Sequence, residues 1–412
     1  MTGPYVVVIA DDLTGAADSG VAFASLGLRT LVVWCSEAMP EAEVLVLTTE
    51  SRHREQAEAV RRVQSGVKAV VAVPGVRDGA WLYKKIDSTL RGHPGPELKA
   101  VMAEFGLSRA LVAPAFPAQG RTTVGGLHLV DGIPLTETVF GQAVSSARVA
   151  ERIADAVGVE AVHELPLKLV RQGPAAVAAT IQRMPARIFI GDAEREADLE
   201  TLASAALRSG IRLLCGSAGL AAALAGALPT HDPGLVAWRS PETAHPPKPR
   251  EGHVLVIAAS RHPQTARQIR FLEAAGIAVV RPEAGWFTDD ASPGGDIERW
   301  VEQLRQGPLV LTSQGLPDLP GAGERIVARL AGAARTLCQR VPVAGLILTG
   351  GDAAIAAGRA LEAEAMWLRG EVHRGMPWST FVGGIAPALT VITKAGGFGG
   401  EDGLLAAIEA LS

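Results

Sequence analysis

Tyr5-Val6-Val7-Val8-Ile9-Ala10-Asp11-Asp12-Leu13-Thr14-Gly15-Ala16 is the stretch whose reading decides the fold. Tyr5–Ala10 is apolar without a break, rich in β-branched side chains and too short for a helix. It reads as a strand buried on both faces. Two carboxylates follow, and Thr14 and Gly15 then start a helical pattern. A buried strand feeding a helix is the unit of a parallel α/β sheet, and ligands gather beyond the carboxyl ends of such strands. Asp11 and Asp12 stand there. Adjacent carboxylates at that place can grip sugar hydroxyls, hold a metal, or take a proton from an attacking hydroxyl. The plainer alternative has one of them capping the helix and the other solvated.

The same alternation extends outward. Leu31–Trp34, Val44–Thr48, Trp81–Ile86, Ala110–Ala113, Ile188–Ile190 and Ile211–Cys215 read as short buried strands, with helical stretches such as Ala16–Leu26, Glu55–Gln64 and Ala197–Arg208 between them. Pro229–His253 breaks the rhythm with six prolines and little periodicity, which marks a linker. The pattern then restarts at Val254–Ala258, Ile277–Val280, Leu309–Thr312, Leu346–Thr349 and Thr390–Thr393. The expected architecture is two α/β domains with largely parallel sheets and an interdomain cleft: residues 1–230, a linker at 231–253, and residues 254–412.

Composition narrows the function. The chain has 412 residues, 48% of them apolar and 20% charged, with a net charge of −4. That is enough for two packed cores, and it gives no general attraction for nucleic acid or an anionic membrane surface. Any anionic ligand must be held by local groups. Cys35, Cys215 and Cys338 are too scattered for a disulfide framework or a paired-thiol metal site, which fits a reducing, cytoplasmic setting. Met1–Pro4 has no basic region ahead of an apolar run, so no secretory signal is expected. Gly375–Thr393 is uncharged until its end but broken by Pro377 and Pro387, so no membrane segment is expected either. Chains of this size often pair as homodimers.

Lysine is scarce, seven residues against 32 arginines, yet Lys84, Lys85 and Lys394 all fall inside motifs. In Lys84-Lys85-Ile86-Asp87-Ser88-Thr89-Leu90-Arg91-Gly92 a strand delivers two cations, Asp-Ser-Thr suits a helix cap, and Arg91 offers the planar fork that matches a carboxylate. This cluster can hold the carboxylate of a sugar acid while Asp87 takes a hydroxyl. The bland alternative is that Asp87 caps a helix and pairs with Lys85. Pro114-Ala115-Phe116-Pro117-Ala118-Gln119-Gly120-Arg121 is a rigid loop after another strand, ending in a cation. Arg52, in Thr49-Glu50-Ser51-Arg52, has a similar position and a weaker case.

In the second half the glycines are most informative. Leu346-Ile347-Leu348-Thr349-Gly350-Gly351-Asp352-Ala353 is a strand followed by a tight turn into a helix. Val391-Ile392-Thr393-Lys394-Ala395-Gly396-Gly397-Phe398-Gly399-Gly400 repeats the layout with a lysine that can neutralise phosphate. Glycine lets backbone N–H groups approach a phosphate, and a helix N-terminus adds a favourable dipole. Ala258-Ala259-Ser260 places a hydroxyl at a third strand end. No Walker or G-x-G-x-x-G pattern is present, and no metal-ligating set is identified. His93, His128, His262 and His373 are scattered and read as surface or satisfied residues.

Taken in order, Asp11-Asp12-Leu13-Thr14-Gly15-Ala16, Lys85–Gly92, Pro114-Ala115-Phe116-Pro117 with Gly120-Arg121, Gly216-Ser217-Ala218-Gly219-Leu220, Thr349-Gly350-Gly351-Asp352 and Lys394–Gly399 resemble the four-carbon acid sugar kinase family nearly end to end. The resemblance implies an N-terminal sugar-acid domain and a C-terminal nucleotide domain. It implies ATP-dependent phosphorylation of the terminal hydroxyl of acids such as threonate, erythronate or 3-oxo-tetronate. By motif, it assigns nucleotide contacts to Ser260, to Gly350 through Ala353, and to Gly397. The chain departs from the family at Ala259 (usually Gly), Ala353 (usually Thr) and His262 (usually a small hydroxyl residue), all on the nucleotide side.

The expected mechanism places Arg91, Lys85 and Arg121 on the carboxylate, with Ser88 and Arg52 beside them. Asp12 or Asp87 orients the hydroxyl and accepts its proton, with the choice of base open among Asp11, Asp12 and Asp87. Mg²⁺ bridges the phosphates held by the glycine turns. Two other readings stay open on the residues alone: a non-catalytic sugar-acid sensor, and a nicotinamide-dependent oxidoreductase.

Overall fold

A computed structural model of the chain describes residues 5–34, 40–157, 161–231, 246, 250–287, 294–317 and 321–412. It divides into two compact units, one of Met1–Thr30 with Met39–Ser240, the other of Leu31–Ala38 with Pro241–Ser412. Most of the expected linker at 231–253 lies outside the described residues.

In chain order the first strands are β1 (Val6–Ala10), β2 (Thr30–Val33), β3 (Val44–Thr48), β4 (Trp81–Lys85) and β5 (Ala110–Ala113). The short β6 (Arg121–Val124), β7 (Leu127–Val130) and β8 (Ile133–Pro134) follow, then β9 (Val162–Leu165), β10 (Ile188–Gly191) and β11 (Leu213–Gly216). In the first unit β3-β1-β4-β11-β5-β10-β9 form a parallel sheet in that order. Every residue of β1 is fully buried, as an uninterrupted Val/Ile run in a sheet covered on both faces requires. The register sets Ala10 level with Thr48 of β3 and Lys85 of β4. The loops after these three strands therefore leave the sheet side by side. β6, β7 and β8 form a separate antiparallel sheet.

The second unit holds β12 (His253–Ala258), β13 (Ala278–Val280), β14 (Leu309–Thr312), β15 (Val343–Thr349), β16 (Ala365–His373), β17 (Met376–Val382) and β18 (Thr390–Lys394). Their order is β13-β14-β12-β15-β18-β17-β16, and β2 follows beside β16. β13, β14, β12, β15 and β18 are joined in parallel, whereas β17 runs antiparallel to both its neighbours. The uncharged stretch from Gly375 is thus a hairpin turn, β17 and β18. Among the described residues no helix is long and apolar enough to cross a membrane.

The assignment of β2 departs from the expected division at 230. Residues 31–34 belong with the C-terminal unit. The Trp34 indole donates to the Ala363 carbonyl at 3.1 Å, and its ring meets Phe381 edge-on with centroids 6.3 Å apart. A Cβ on Gly358 would stand 3.0 Å from the Trp34 ring, so the helix Gly351–Ala360 approaches this closely only because that position is glycine.

Truncating a buried aromatic costs roughly 3–5 kcal/mol. Trp34 is half-buried, so Trp34→Ala is expected to cost about 3 kcal/mol. Hydrogen exchange should quicken in β16 and β17 but not in β1 and β3. Faster exchange confined to β1 and β3 would contradict the assignment of β2.

Candidate active site

The loops leaving β1, β3 and β4 bring Asp11, Asp12, Arg52 and Asp87 together. Arg52 donates from Nε and Nη2 to the two Asp11 oxygens at 2.9 and 2.7 Å. It also donates from Nη1 and Nη2 to the two Asp12 oxygens at 2.6 and 2.8 Å. Its Nη1 lies 3.8 Å from Asp87 Oδ1. Burial works against the Arg52 charge, but the three carboxylates outweigh it and raise its pKa well above the usual value. Burial likewise opposes the Asp11 charge, yet Arg52 and the lysines hold its carboxyl below the ordinary range. Asp12 does cap the helix Leu13–Ala24, accepting from the Gly15 N–H at 2.8 Å, while also serving Arg52. Of the three acids Asp12 is the most open, its side chain 16% exposed against 4% for Asp11 and 9% for Asp87.

Asp87 does not cap a helix. The next helix begins at Pro94, and Asp87 instead closes a tight turn by accepting from the Thr89 N–H at 3.2 Å and from the Thr89 hydroxyl. Nor does it pair with Lys85. Arg91 grips it in bidentate fashion, Nε to Oδ2 at 2.7 Å and Nη2 to Oδ1 at 2.9 Å. Burial would raise the Asp87 carboxyl, but Arg52, Arg91 and Thr89 hold it well below the usual carboxylate range. Much of the Arg91 fork is thus spent inside the protein.

The adjacent lysines part company because successive strand residues face opposite sides of the sheet. Lys84 is fully buried, its ammonium 2.8 Å from Glu97 Oε2 on the helix Pro94–Phe105 and 2.8 Å from the Lys85 carbonyl. The contact with Glu97 is an ion pair rather than an aligned hydrogen bond, since neither Glu97 oxygen meets hydrogen-bond geometry. Lys85 is 5% exposed, and among the described residues its ammonium has no hydrogen bond or ion pair. It lies over the start of the first helix, 2.8 Å from where a Cβ on Gly15 would stand. Arg121 opens β6, donates to the Gln119 carbonyl, and keeps its Nε buried without an acceptor. Burial lowers its pKa, with only partial opposition from Asp131 and Asp87.

The Ser88 carbonyl accepts from His128 Nε2 at 2.7 Å, and His128 Nδ1 meets the Thr123 hydroxyl at 3.0 Å. Arg152 donates to the carbonyls of Leu90 and Gly92 at 3.1 and 2.7 Å. Glu97, His128 and Arg152 all hold this site and none stands in its motifs. A buried glutamate in a helix with an apolar face is the one signal that could have pointed to a partner for Lys84.

In the second unit the register sets Ala258 level with Thr312 and Thr349, and Thr349 level with Lys394. The Gly350 N–H donates to the Lys394 carbonyl at 2.9 Å. A side chain on Gly396 would collide with Ser260 Oγ, and one on Gly397 would stand 3.1 Å from His262 Nε2. Ser260, the Gly350 turn and the Lys394 bend therefore converge. Gly350 sits at φ 104, a conformation that favours glycine, and caps the helix Gly351–Ala360 with no side chain. The amides of Gly351, Asp352 and Ala353 are left to the space beyond that helix end. The N–H groups of Gly396, Gly397, Gly399 and Gly400 likewise have no acceptor among the described residues. Lys394, 1% exposed, donates to the carbonyls of Ala395 and Gly396 at 3.0 and 3.3 Å, and burial pushes its pKa down to about 7. Among the described residues no group of three or more His, Cys, Asp or Glu could hold a metal ion.

One unit thus gathers acids and cations at its strand ends, the other unpaired amides. The family model of a sugar-binding N-terminal domain matches residues 6–224, and that of a nucleotide-binding C-terminal domain matches residues 255–404. A D-threonate kinase of Salmonella typhimurium is 34% identical, over 98% of this chain and 97% of its own length. A D-erythronate kinase of Heliobacterium modesticaldum is 30% identical, over 98% and 97%. A crystal structure of a Haemophilus influenzae protein, 21% identical, covers 98% of this chain and 99% of its own with a TM-score of 0.73, which speaks to the fold. The chain belongs to the four-carbon acid sugar kinase family.

Removing one partner of a buried ion pair costs roughly 3–5 kcal/mol, whereas replacing both by apolar side chains is often neutral. Lys84→Met should therefore lower the thermal unfolding temperature strongly, and Lys84→Met with Glu97→Leu should recover most of the loss. A double variant no more stable than the single one would mean that Lys84 matters through Asp11 or the Lys85 carbonyl instead.

Proposed function

We propose that this chain is an ATP-dependent kinase that phosphorylates the terminal hydroxyl of a four-carbon sugar acid such as threonate, erythronate or 3-oxo-tetronate. The observation that carries this reading is the charge balance of the first unit. Arg52 and Arg91 are committed to Asp11, Asp12 and Asp87, and the cations left over are Lys85 and Arg121. A small acid supplies the missing negative charge through its carboxylate, and its hydroxyls find acceptors on the acidic side of the cluster.

In this reading Lys85 and Arg121 bind the carboxylate and Ser88 lines the same turn. Asp12, the most open acid, orients the attacking hydroxyl, with Asp87 next to it. Arg52, Arg91 and Thr89 hold the Asp87 carboxyl well below the usual range, and that suits phosphoryl transfer, which asks for positioning more than proton abstraction. In the second unit Ser260, Gly350, Gly351, Asp352, Ala353, Gly396 and Gly397 present the phosphate cradle, and Lys394 adds the cation. ATP, when bound at Ser260, Gly350 to Ala353, Gly396 and Gly397, would supply the phosphoryl group, and Mg²⁺ bound with it would neutralise charge on its phosphates. A cytoplasmic homodimer belongs to the same proposal, and a solution mass of one chain alone would remove the dimer from it.

Coupled ADP release with D-threonate, D-erythronate and 3-oxo-tetronate tests the reading, and no release with any four-carbon acid sinks it. Asp12→Asn and Asp87→Asn should each lower kcat by about a hundredfold or more, while the KM for ATP barely moves. Lys85→Met should instead raise the KM for the acid. An unchanged kcat removes the altered acid from the chemistry.

Lys394 gives a separate test. With its pKa near 7 it is mostly neutral at pH 8, and phosphate nearby favours the charged form. ATP binding at pH 8 should draw in on the order of one proton, measured by calorimetry in buffers of different ionisation enthalpy. The uptake should fade at pH 6, where Lys394 is already charged, and should vanish in Lys394→Met. Equal uptake in that variant would assign the proton elsewhere.

A further inference from the structure

A glycine-rich bend has two faces, one of carbonyls that repel phosphate and one of N–H groups that attract it. Something must decide which face is turned outward. At residues 396–400 the helix Pro263–Ala274 takes up carbonyls one by one. The Thr265 hydroxyl donates to the Gly396 carbonyl at 2.9 Å, and Gln264 Nε2 donates to the Gly399 carbonyl at 2.8 Å. Gln268 Nε2 donates twice, to the Phe398 carbonyl at 3.0 Å and the Gly400 carbonyl at 2.7 Å. Four of the five carbonyls in the bend are thereby turned toward the helix.

Gln268 is the centre of this arrangement. It is fully buried, and two carbonyls can only accept, so the orientation of its amide is settled: nitrogen toward the bend. Its Oε1 is buried with no donor, an unfavourable arrangement that persists because the nitrogen side is doubly used. The bend also makes room for it. A Cβ on Gly399 or Gly403 would stand 3.3 or 3.1 Å from Gln268 Nε2. Positions 264, 265 and 268 share one face of the helix, so a single element sets the polarity of the whole bend.

We propose that Gln268, supported by Thr265 and Gln264, is a positioning residue that turns the amides of Gly396, Gly397, Gly399 and Gly400 toward the phosphate chain of the nucleotide. Gln268 itself touches no phosphate. This rests on the kinase reading above and goes beyond it, because neither Gln268 nor Thr265 belongs to the motifs that define the cradle. The residue acts on phosphate binding alone, so its removal separates the phosphates from the nucleoside.

The test compares ATP and adenosine binding by calorimetry in wild type, Gln268→Met and Thr265→Val, with thermal unfolding recorded for each. Gln268→Met keeps the length of the side chain and removes both donors. It should weaken ATP by about tenfold or more, leave adenosine and the KM for the acid unchanged, and still unfold cooperatively. Thr265→Val should shift ATP the same way by a smaller factor, and it decides the matter if Gln268→Met does not fold. ATP affinity equal to wild type, or adenosine weakened in step with ATP, overturns the positioning role of Gln268 while leaving the kinase reading intact. A wild-type protein that binds no ATP overturns both.

Discussion

The first unit depends on one guanidinium. Arg52 sends four hydrogen bonds to Asp11 and Asp12 and stands beside Asp87. Three carboxylates this close cannot all stay ionised without a cation among them, and charges this deep are tolerated only when paired and hydrogen-bonded. The parallel register of β3, β1 and β4 is what brings the arginine to the acids. With Arg52 absorbed in this way, carboxylate binding falls, in the proposed reading, to Lys85 and Arg121.

The two units solve related problems with different materials. Both build at the carboxyl ends of adjacent parallel strands, where the turn into a helix leaves backbone groups unpaired. The first fills that edge with charged side chains, which in the proposed reading distinguish a small acid from neutral sugars. The second keeps it almost bare, since close approach of main chain to a polyphosphate needs small residues. On the proposed reading, this division lets a chain of modest net charge serve anionic ligands with a few locally placed cations.

Much of the architecture was legible in the sequence. Runs such as Val6–Ala10 and Leu309–Thr312 are too short and too apolar to be anything but buried strands, and their alternation with helices implies a parallel sheet. β16 and β17 escaped notice because Trp367, Arg369, Glu371 and His373 interrupt the apolar pattern on one side of β16. The placement of β2 escaped because no local signal says which sheet a four-residue strand joins. Within the cluster, the motifs marked loops that the fold brings together but not who pairs with whom. Lys84 and Lys85 look equivalent in a line of letters, and the pleat sends them to opposite faces. Arg91 looked like a free fork until the turn at Leu90, φ 56, folded it back on Asp87. His128, Arg152 and Gln268 act through contacts 40 to 132 residues away in the chain, which leave no local trace.

The topology of β2 also has a cost in time. Val33 leaves the ribosome more than three hundred residues before Ala365, the start of the strand that will cover one of its edges. At synthesis rates of about 5–20 residues per second, that edge and the face of Trp34 wait tens of seconds for their partners. An open apolar edge is the kind of surface on which nascent chains aggregate or trade strands. The nucleotide-binding half is therefore the last to mature, and its completion reaches back to the first part of the chain to be made.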